Sequence, residues 1–234
     1  MQKEVEKLFP TAKTLRLDSD TGRVRLNIAK TIEAFRAHEA DILIGTQMIA
    51  KGHDFPNVTL VGIVLADLGL TLPSYRSAER TFQLITQAVG RSGRSDKKGI
   101  AIIQTNMPNH YAVTLGARQD YVSFFNQEML VRRAAQEPPF MFSLSIKISA
   151  KEEEIAHRAS QTLADDLKTS LQDLAMIIGP ATPFIFKEGP WFKKVILIKY
   201  RNYFAVKPLL LTAIKPLKSK ANIRLEVNVD PSEF

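Results

Sequence analysis

The chain has 234 residues, 45% hydrophobic and 24% charged, enough for one large domain or two small ones with a proper core. Lysine and arginine outnumber acids 32 to 24, and the resulting net charge of +8 suits a polyanion or an anionic surface as readily as it describes a merely basic soluble protein. Cysteine is absent, which excludes disulfides and thiolate zinc sites, and four scattered histidines are a poor basis for a metal centre.

In chain order, residues 2–8 read as a short amphipathic helix with Val5 and Leu8 on one face. Thr14–Leu17 reads as a strand running into Asp18-Ser19-Asp20-Thr21-Gly22, a turn rich in helix N-cap residues. The paired aspartates there invite a metal or acid-base role, but the N-cap turn explains them better. From Val24 to His38, Ile28, Ile32 and Phe35 recur at helical spacing. Ile42–Gly45 and Val58–Ala66 read as buried strands, Arg76 to about Gly90 as a helix, and Ile100–Gln104 as a strand. Strands alternating with helices imply a parallel sheet whose functional loops lie at the strand C-terminal ends.

Residues 110–136 read as one or two helices, anchored by Tyr111, Leu115, Tyr121, Phe124, Phe125 and Met129. Glu137-Pro138-Pro139 ends them and marks a domain boundary, because proline lacks a donor and restricts its predecessor. Beyond it the predicted order is β-α-β-β-α-β, a small α+β domain of ferredoxin-like order. Its parts are a strand over Phe142–Ala150, a helix over Glu152–Leu174 with an acidic first turn, and a strand at Ile177-Ile178. A strand over Lys193–Tyr200, a helix over Phe204–Leu217 bent or delayed by Pro208, and a strand over Ile223–Val229 complete it. The longest apolar stretches fall far short of the ~18 residues of a membrane-spanning helix, and the charged N-terminus lacks an apolar signal region. A cytoplasmic location is expected.

Three segments carry candidate chemistry. Residues 83–94 read Gln-Leu-Ile-Thr-Gln-Ala-Val-Gly-Arg-Ser-Gly-Arg, with Gln87 one helical turn before Arg91, and Arg94 beyond it. Planar guanidinium donors match the oxygens of a transferring phosphoryl group, although a bare basic helix end stabilising its own dipole has the same residues. Residues 42–56 read Ile-Leu-Ile-Gly-Thr-Gln-Met-Ile-Ala-Lys-Gly-His-Asp-Phe-Pro. Here Thr46 and the loop amides after it can hold a nucleic-acid phosphate, and Asp54 can accept from a ribose hydroxyl or an arginine. For His53 and Lys51 a solvated turn is the competing reading. The third segment, 187–203, interleaves Trp191, Phe192, Tyr200 and Tyr203 with Lys193, Lys194, Lys199 and Arg201. Stacking aromatics beside cations are a single-strand-binding pattern, and core aromatics in a small sheet are equally compatible with it.

The 42–56 and 83–94 blocks, in that order and spacing, resemble motifs V and VI of the second motor lobe of superfamily-2 helicases. With Gln2-Lys3-Glu4-Val5-Glu6, Asp18-Ser19-Asp20-Thr21, Arg76-Ser77-Ala78-Glu79-Arg80, Glu137-Pro138-Pro139-Phe140, Gly179-Pro180 and Val229-Asp230-Pro231, the whole chain resembles the C-terminal part of the bacterial replication-restart helicase family, primosomal protein N′ or PriA. The resemblance implies an α/β fold, with a RecA-like lobe 2 of parallel sheet and flanking helices over 1–109. It also implies a helical connector over 110–138 and a DNA- and partner-binding domain over 139–234.

It implies a 3′-to-5′ ATP-dependent DNA helicase that reloads the replication machinery at stalled forks. Arg91, Arg94 and Gln87 would then be catalytic, Gly52 and Asp54 would lie at the ATP seam, and Thr46, Lys51, Lys193 and Lys194 would contact DNA. Arg201 would grip a partner's C-terminal carboxylate, unless it is a solvated strand-end arginine. The implied partners are forked or single-stranded DNA, the single-stranded-DNA-binding protein, primosome proteins and the N-terminal lobe. ATP and magnesium belong to the complete enzyme, and zinc to a cysteine-rich module of the family that has no ligands here. No phosphate-cradling loop and no Asp-Glu-x-His box occurs in these residues, so the chain is expected to be a fragment without ATPase activity of its own. The alternatives are a non-catalytic DNA- or protein-binding module, or lobe 2 of another superfamily-2 helicase.

Overall fold

The computed structural model describes residues 1–17, 24–46, 49, 55, 57–91 and 99–231. These divide into two units, Met1–Leu70 with Ala78–Phe124, and Thr71–Ser77 with Phe125–Phe234.

The first unit opens with helix α1 (Gln2–Leu8) and strand β1 (Thr14–Leu17). Helix α2 (Val24–Arg36) carries the chain back to strand β2 (Ile42–Gly45), which pairs parallel to β1 from Thr14↔Ile42 to Leu17↔Gly45. A parallel pair needs such a crossover, since a tight hairpin only joins antiparallel strands. Strand β3 (Leu60–Ile63) pairs parallel to β4 (Ile100–Ile103), with a 3-10 segment (Ala66–Thr71) and helix α3 (Ser77–Val89) between them. The parallel sheet expected from the alternation thus comprises, among the described residues, two separate two-stranded ladders. β3 is also shorter than the apolar run suggests. Leu65 takes a φ of 53°, a left-handed conformation that breaks an extended strand, and the 3-10 segment starts at the next residue.

The core of this unit gathers on α3. Ile85 is fully buried with Ala66 and Val113, while Phe82 packs with Ala112 and Phe124. Phe82 and Phe124 stack with centroids 4.1 Å apart, an arrangement worth roughly 0.5–1.5 kcal/mol beyond area burial. Helix α4 (Tyr111–Ala117) is capped by His110, whose Nδ1 accepts from the Ala112 amide at 3.2 Å. Beneath it, Asp67 accepts from the Asn106 amide at 2.9 Å. A hydrogen bond from Thr105, then that amide, holds the Asp67 carboxyl below its ordinary range.

The span 110–136 forms two helices, α4 and α5 (Tyr121–Ala134), and α5 begins in the first unit and ends in the second. The break falls at Gln119, with a φ of 56°, and Asp120 caps the new helix by accepting from the Ser123 amide at 3.0 Å.

The second unit continues through β5 (Phe142–Ala150), α6 (Glu153–Leu171), β6 (Ala175–Ala181), a two-residue β7 (Lys187–Glu188), β8 (Trp191–Tyr200), α7 (Tyr203–Lys218) and β9 (Ile223–Val229). The sheet runs β6-β8-β5-β9 with every pairing antiparallel, and β7 adds to the end of β8. Strand alternation decides the faces. Leu144, Ile146, Ile148, Ile196 and Ile198 turn toward α6 and α7, where Leu163, Leu167, Val206, Leu210 and Ile214 complete the core. Each such side chain, fully buried, contributes roughly 1.5–3 kcal/mol.

The acidic start of α6 carries Glu153 and Glu154 in its first turn, where the helix dipole favours them. Asn202 caps α7, its Oδ1 accepting from the Phe204 and Ala205 amides at 3.0 and 3.4 Å. The helix runs on through Pro208 and Pro216, each forfeiting a backbone donor. No helix among the described residues is long and apolar enough to cross a membrane.

Candidate functional site

In the first unit the sequence candidates sit at the ends of elements. Gln87 is exposed on the last turn of α3. The Gly90 amide donates to Thr86 O at 3.0 Å and the Arg91 amide to Ala88 O at 3.1 Å. The helical path therefore extends two residues past Val89, and Gln87 and Arg91 stand one turn apart on a common side. Arg91 is half-buried. Thr46 is exposed directly after β2, where Gly45 brings the chain close. A Cβ on Gly45 would lie 2.5 Å from both Leu17 O and Ile49 Cδ1, so a larger residue would push β1 and the loop apart. Close packing of β2 against the end of β1 and Ile49 thus requires glycine here. Lys51, Gly52, His53, Asp54 and Arg94 lie outside the described residues, as does the Asp18–Gly22 turn.

In the second unit the structure separates Lys193 from Lys194, because consecutive strand residues face opposite sides of the sheet. Lys194 lies on the helix-bearing side, where its ammonium donates to Thr182 Oγ1 at 3.0 Å and to Glu153 Oε1 at 3.3 Å. Lys193 lies on the other side and pairs with Glu188 across the β7–β8 hairpin, and this lysine is what lowers the Glu188 pKa. Both are therefore already partnered, and a phosphate must compete with a carboxylate for each. Tyr200, read as a stacking candidate, is instead 2% exposed in the core, and burial pushes its phenol up to about 12.

Arg201 is exposed immediately after β8. It lines an open cleft of about 560 Å³ with Arg133, Gln136, Pro139, Phe140 and Met141. The Arg133 guanidinium lies over the Phe140 ring, 4.8 Å from its centroid. Two guanidinium groups beside an aromatic ring and a methionine suit a ligand with one anionic end and an apolar body. Sequence reasoning found Arg201 and missed Arg133 and Phe140. The helix-end pair Arg132-Arg133 followed by Pro138-Pro139-Phe140 was the available signal. Among the described residues no three His, Cys, Asp or Glu side chains group as metal ligands.

Residues 2–96 match the helicase conserved C-terminal domain. The chain is 37% identical over 234 residues to replication restart protein PriA of Bacillus subtilis (strain 168), covering 99% of this chain and 29% of the relative. It is 39% identical over 227 residues to replication restart protein PriA of Chlamydia muridarum, covering 97% of this chain and 30% of the relative. The chain thus spans less than a third of the length of these relatives. Among solved structures, the C-terminal domain of the DEAD-box protein Dbp5 overlaps 57% of this chain and 78% of its own at 20% identity with a TM-score of 0.37, too low to carry an argument. Residues 2–96 are thus similar to the helicase conserved C-terminal domain, and nearly the whole chain is similar to part of replication restart protein PriA.

Proposed function

We propose that this chain is the C-terminal portion of an ATP-dependent, 3′-to-5′ DNA helicase that acts in replication restart and that it needs an N-terminal lobe to hydrolyse ATP. The observation that carries this reading is Gln87 and Arg91 held one turn apart at the end of α3, inside a segment matching a helicase C-terminal domain. In that role residues 1–109 act as motor lobe 2. Arg91 and Arg94 reach across a cleft to stabilise charge on the transferring phosphoryl group, and Gln87 helps position its nucleophile. Gly52 and Asp54 line the same seam, and Thr46 and Lys51 hold the DNA backbone. Magnesium, when bound with ATP, neutralises phosphate charge. The residues of this chain supply donors from one side only, so positioning of the phosphates falls to the other lobe. The purified chain is accordingly expected to show no DNA-stimulated ATPase activity alone and to gain it when the N-terminal half of such an enzyme is supplied with forked DNA. Turnover by the chain alone, or none after reconstitution, would sink this reading.

Residues 139–234 act as the DNA- and partner-binding module, linked to the motor by the helical segment 110–138. Lys193 contributes to phosphate binding, and Lys194 does so only by releasing Glu153. Arg201 holds the C-terminal carboxylate of an acidic partner tail, such as that of a single-stranded-DNA-binding protein, with Phe140 and Met141 taking its apolar side chains. An acidic peptide with a free C-terminal carboxylate should bind at low salt and lose roughly tenfold or more in affinity on Arg201→Ala, the cost of one charge-assisted pair. An amidated peptide binding equally well would count against this assignment.

A further inference from the structure

Between β6 and β8 the chain makes an excursion whose tip is apolar and exposed. Phe184 is 97% exposed, and Ile185 and Phe186 beside it are exposed as well. A large ring left almost wholly in water gains by meeting a flat apolar partner. The Lys193 amide donates to Phe186 O at 2.7 Å, which sets Phe186 opposite Lys193 across the hairpin. Cross-strand partners share a face.

That face points away from α6 and α7. The β5 register places Ser149 between Lys193 and Arg224, in the alternate set to the one that forms the core. Trp191, two residues before Lys193 on the same strand, lies on the same side. The Arg224 guanidinium covers its ring at 3.7 Å from the centroid. A guanidinium over an indole is a cationic platform of the kind on which a nucleobase stacks. On the reverse side of the hairpin the Lys187 ammonium lies 4.5 Å from the Phe192 centroid. On this face Lys147, Lys193 and Arg224 stand against Glu188 and Glu226, a cationic balance that favours an anionic partner over an apolar protein surface.

We propose that the Trp191–Lys193 end of this sheet face and its hairpin bind a single DNA strand. Unpaired bases stack on Phe184, Phe186 and the Trp191–Arg224 platform, and phosphates lie against Lys193 after displacing Glu188. The proposal rests on the reading of the chain as part of a DNA helicase and assigns the base contacts of its C-terminal module.

Trp191 is the sole tryptophan, so its intrinsic fluorescence reports on this face alone. The full chain is titrated with an oligothymidylate of about 16 nucleotides, within the span one such module covers. Saturable quenching is expected, with affinity falling roughly tenfold or more in the Phe184→Ala/Phe186→Ala double variant. Phe184→Leu/Phe186→Leu should fall nearly as far, since leucine keeps apolar area but offers no π face. The salt dependence should be unchanged in both, because neither variant removes a cation. Binding without quenching, no binding, or unaltered affinity in the alanine variant overturns the proposal. Full recovery in the leucine variant also overturns it, in favour of an apolar protein contact. Reconstituted ATPase activity is measured separately, so the helicase reading and this surface can fail independently.

Discussion

Arg91→Ala, in an enzyme completed by an N-terminal lobe, is expected to lower ATP turnover by about 10³-fold or more while leaving affinity for forked DNA unchanged. The expectation rests on where the charge is needed. A guanidinium facing a transferring phosphoryl group meets more negative charge in the transition state than in bound ATP, so its removal falls on turnover rather than on binding. The position of Arg91 suits this. It lies half-buried two residues past α3, one turn from Gln87. Arg94→Ala is expected to behave alike, and combining the two should cost less than the sum, because both act on the same charge. Lysine at position 91 should rescue little, since a point charge does not reproduce a planar fork. Steady-state ATPase and fork-binding titrations on the same preparations check this. If affinity and turnover fell together, the arginines would be DNA contacts.

Lys199→Met is expected to destabilise the second unit by about 3–5 kcal/mol, as expected for breaking a buried ion pair from one side. Lys199 and Glu137 side chains are only 11% and 18% exposed, and their ammonium and carboxylate are 2.7 Å apart. The same ammonium donates to Ala135 O at 3.1 Å and Gln136 O at 3.3 Å, satisfying carbonyls just beyond α5 that its helix cannot. Glu137 Oε2 is buried with no hydrogen-bond partner among the described residues, so the carboxylate depends heavily on this one lysine. Methionine fills the space but leaves the carboxylate unpaired and the carbonyls orphaned. Lys199→Met with Glu137→Leu should recover much of the loss, because a matched apolar pair avoids the desolvation that the charges suffer. Urea unfolding of the single and double variants decides it. A loss below about 1 kcal/mol in the single variant would mean that water reaches the pair.

Helical spacing in Val24–Arg36, apolar alternation in Phe142–Ala150 and the Pro138-Pro139 break are properties of neighbouring residues, and the elements there follow them. The Gln87–Arg91 pairing was legible for the same reason, since residues four apart share a helix face. Lys193 and Lys194 read as one basic cluster along the chain, yet β8 sends them to opposite sides, each to its own glutamate. Tyr200 read as a stacking ring, and the pleat turned it into the core.

Lys199 looked like another cation in a basic run, and only the fold set it against Glu137, 62 residues earlier. The Arg224–Trp191 platform and the cleft of Arg133, Phe140 and Arg201 are of the same kind. Sequence alone determined the type of most elements and the basic character of 187–207, because each depends on spacing or composition within a few turns of chain. Which of those cations face a ligand was decided by tertiary structure. Strand register assigns every side chain to one face or the other, a one-residue slip would reverse them all, and that register is set by the packing of Ile146, Ile148, Ile196 and Ile198 against α6 and α7.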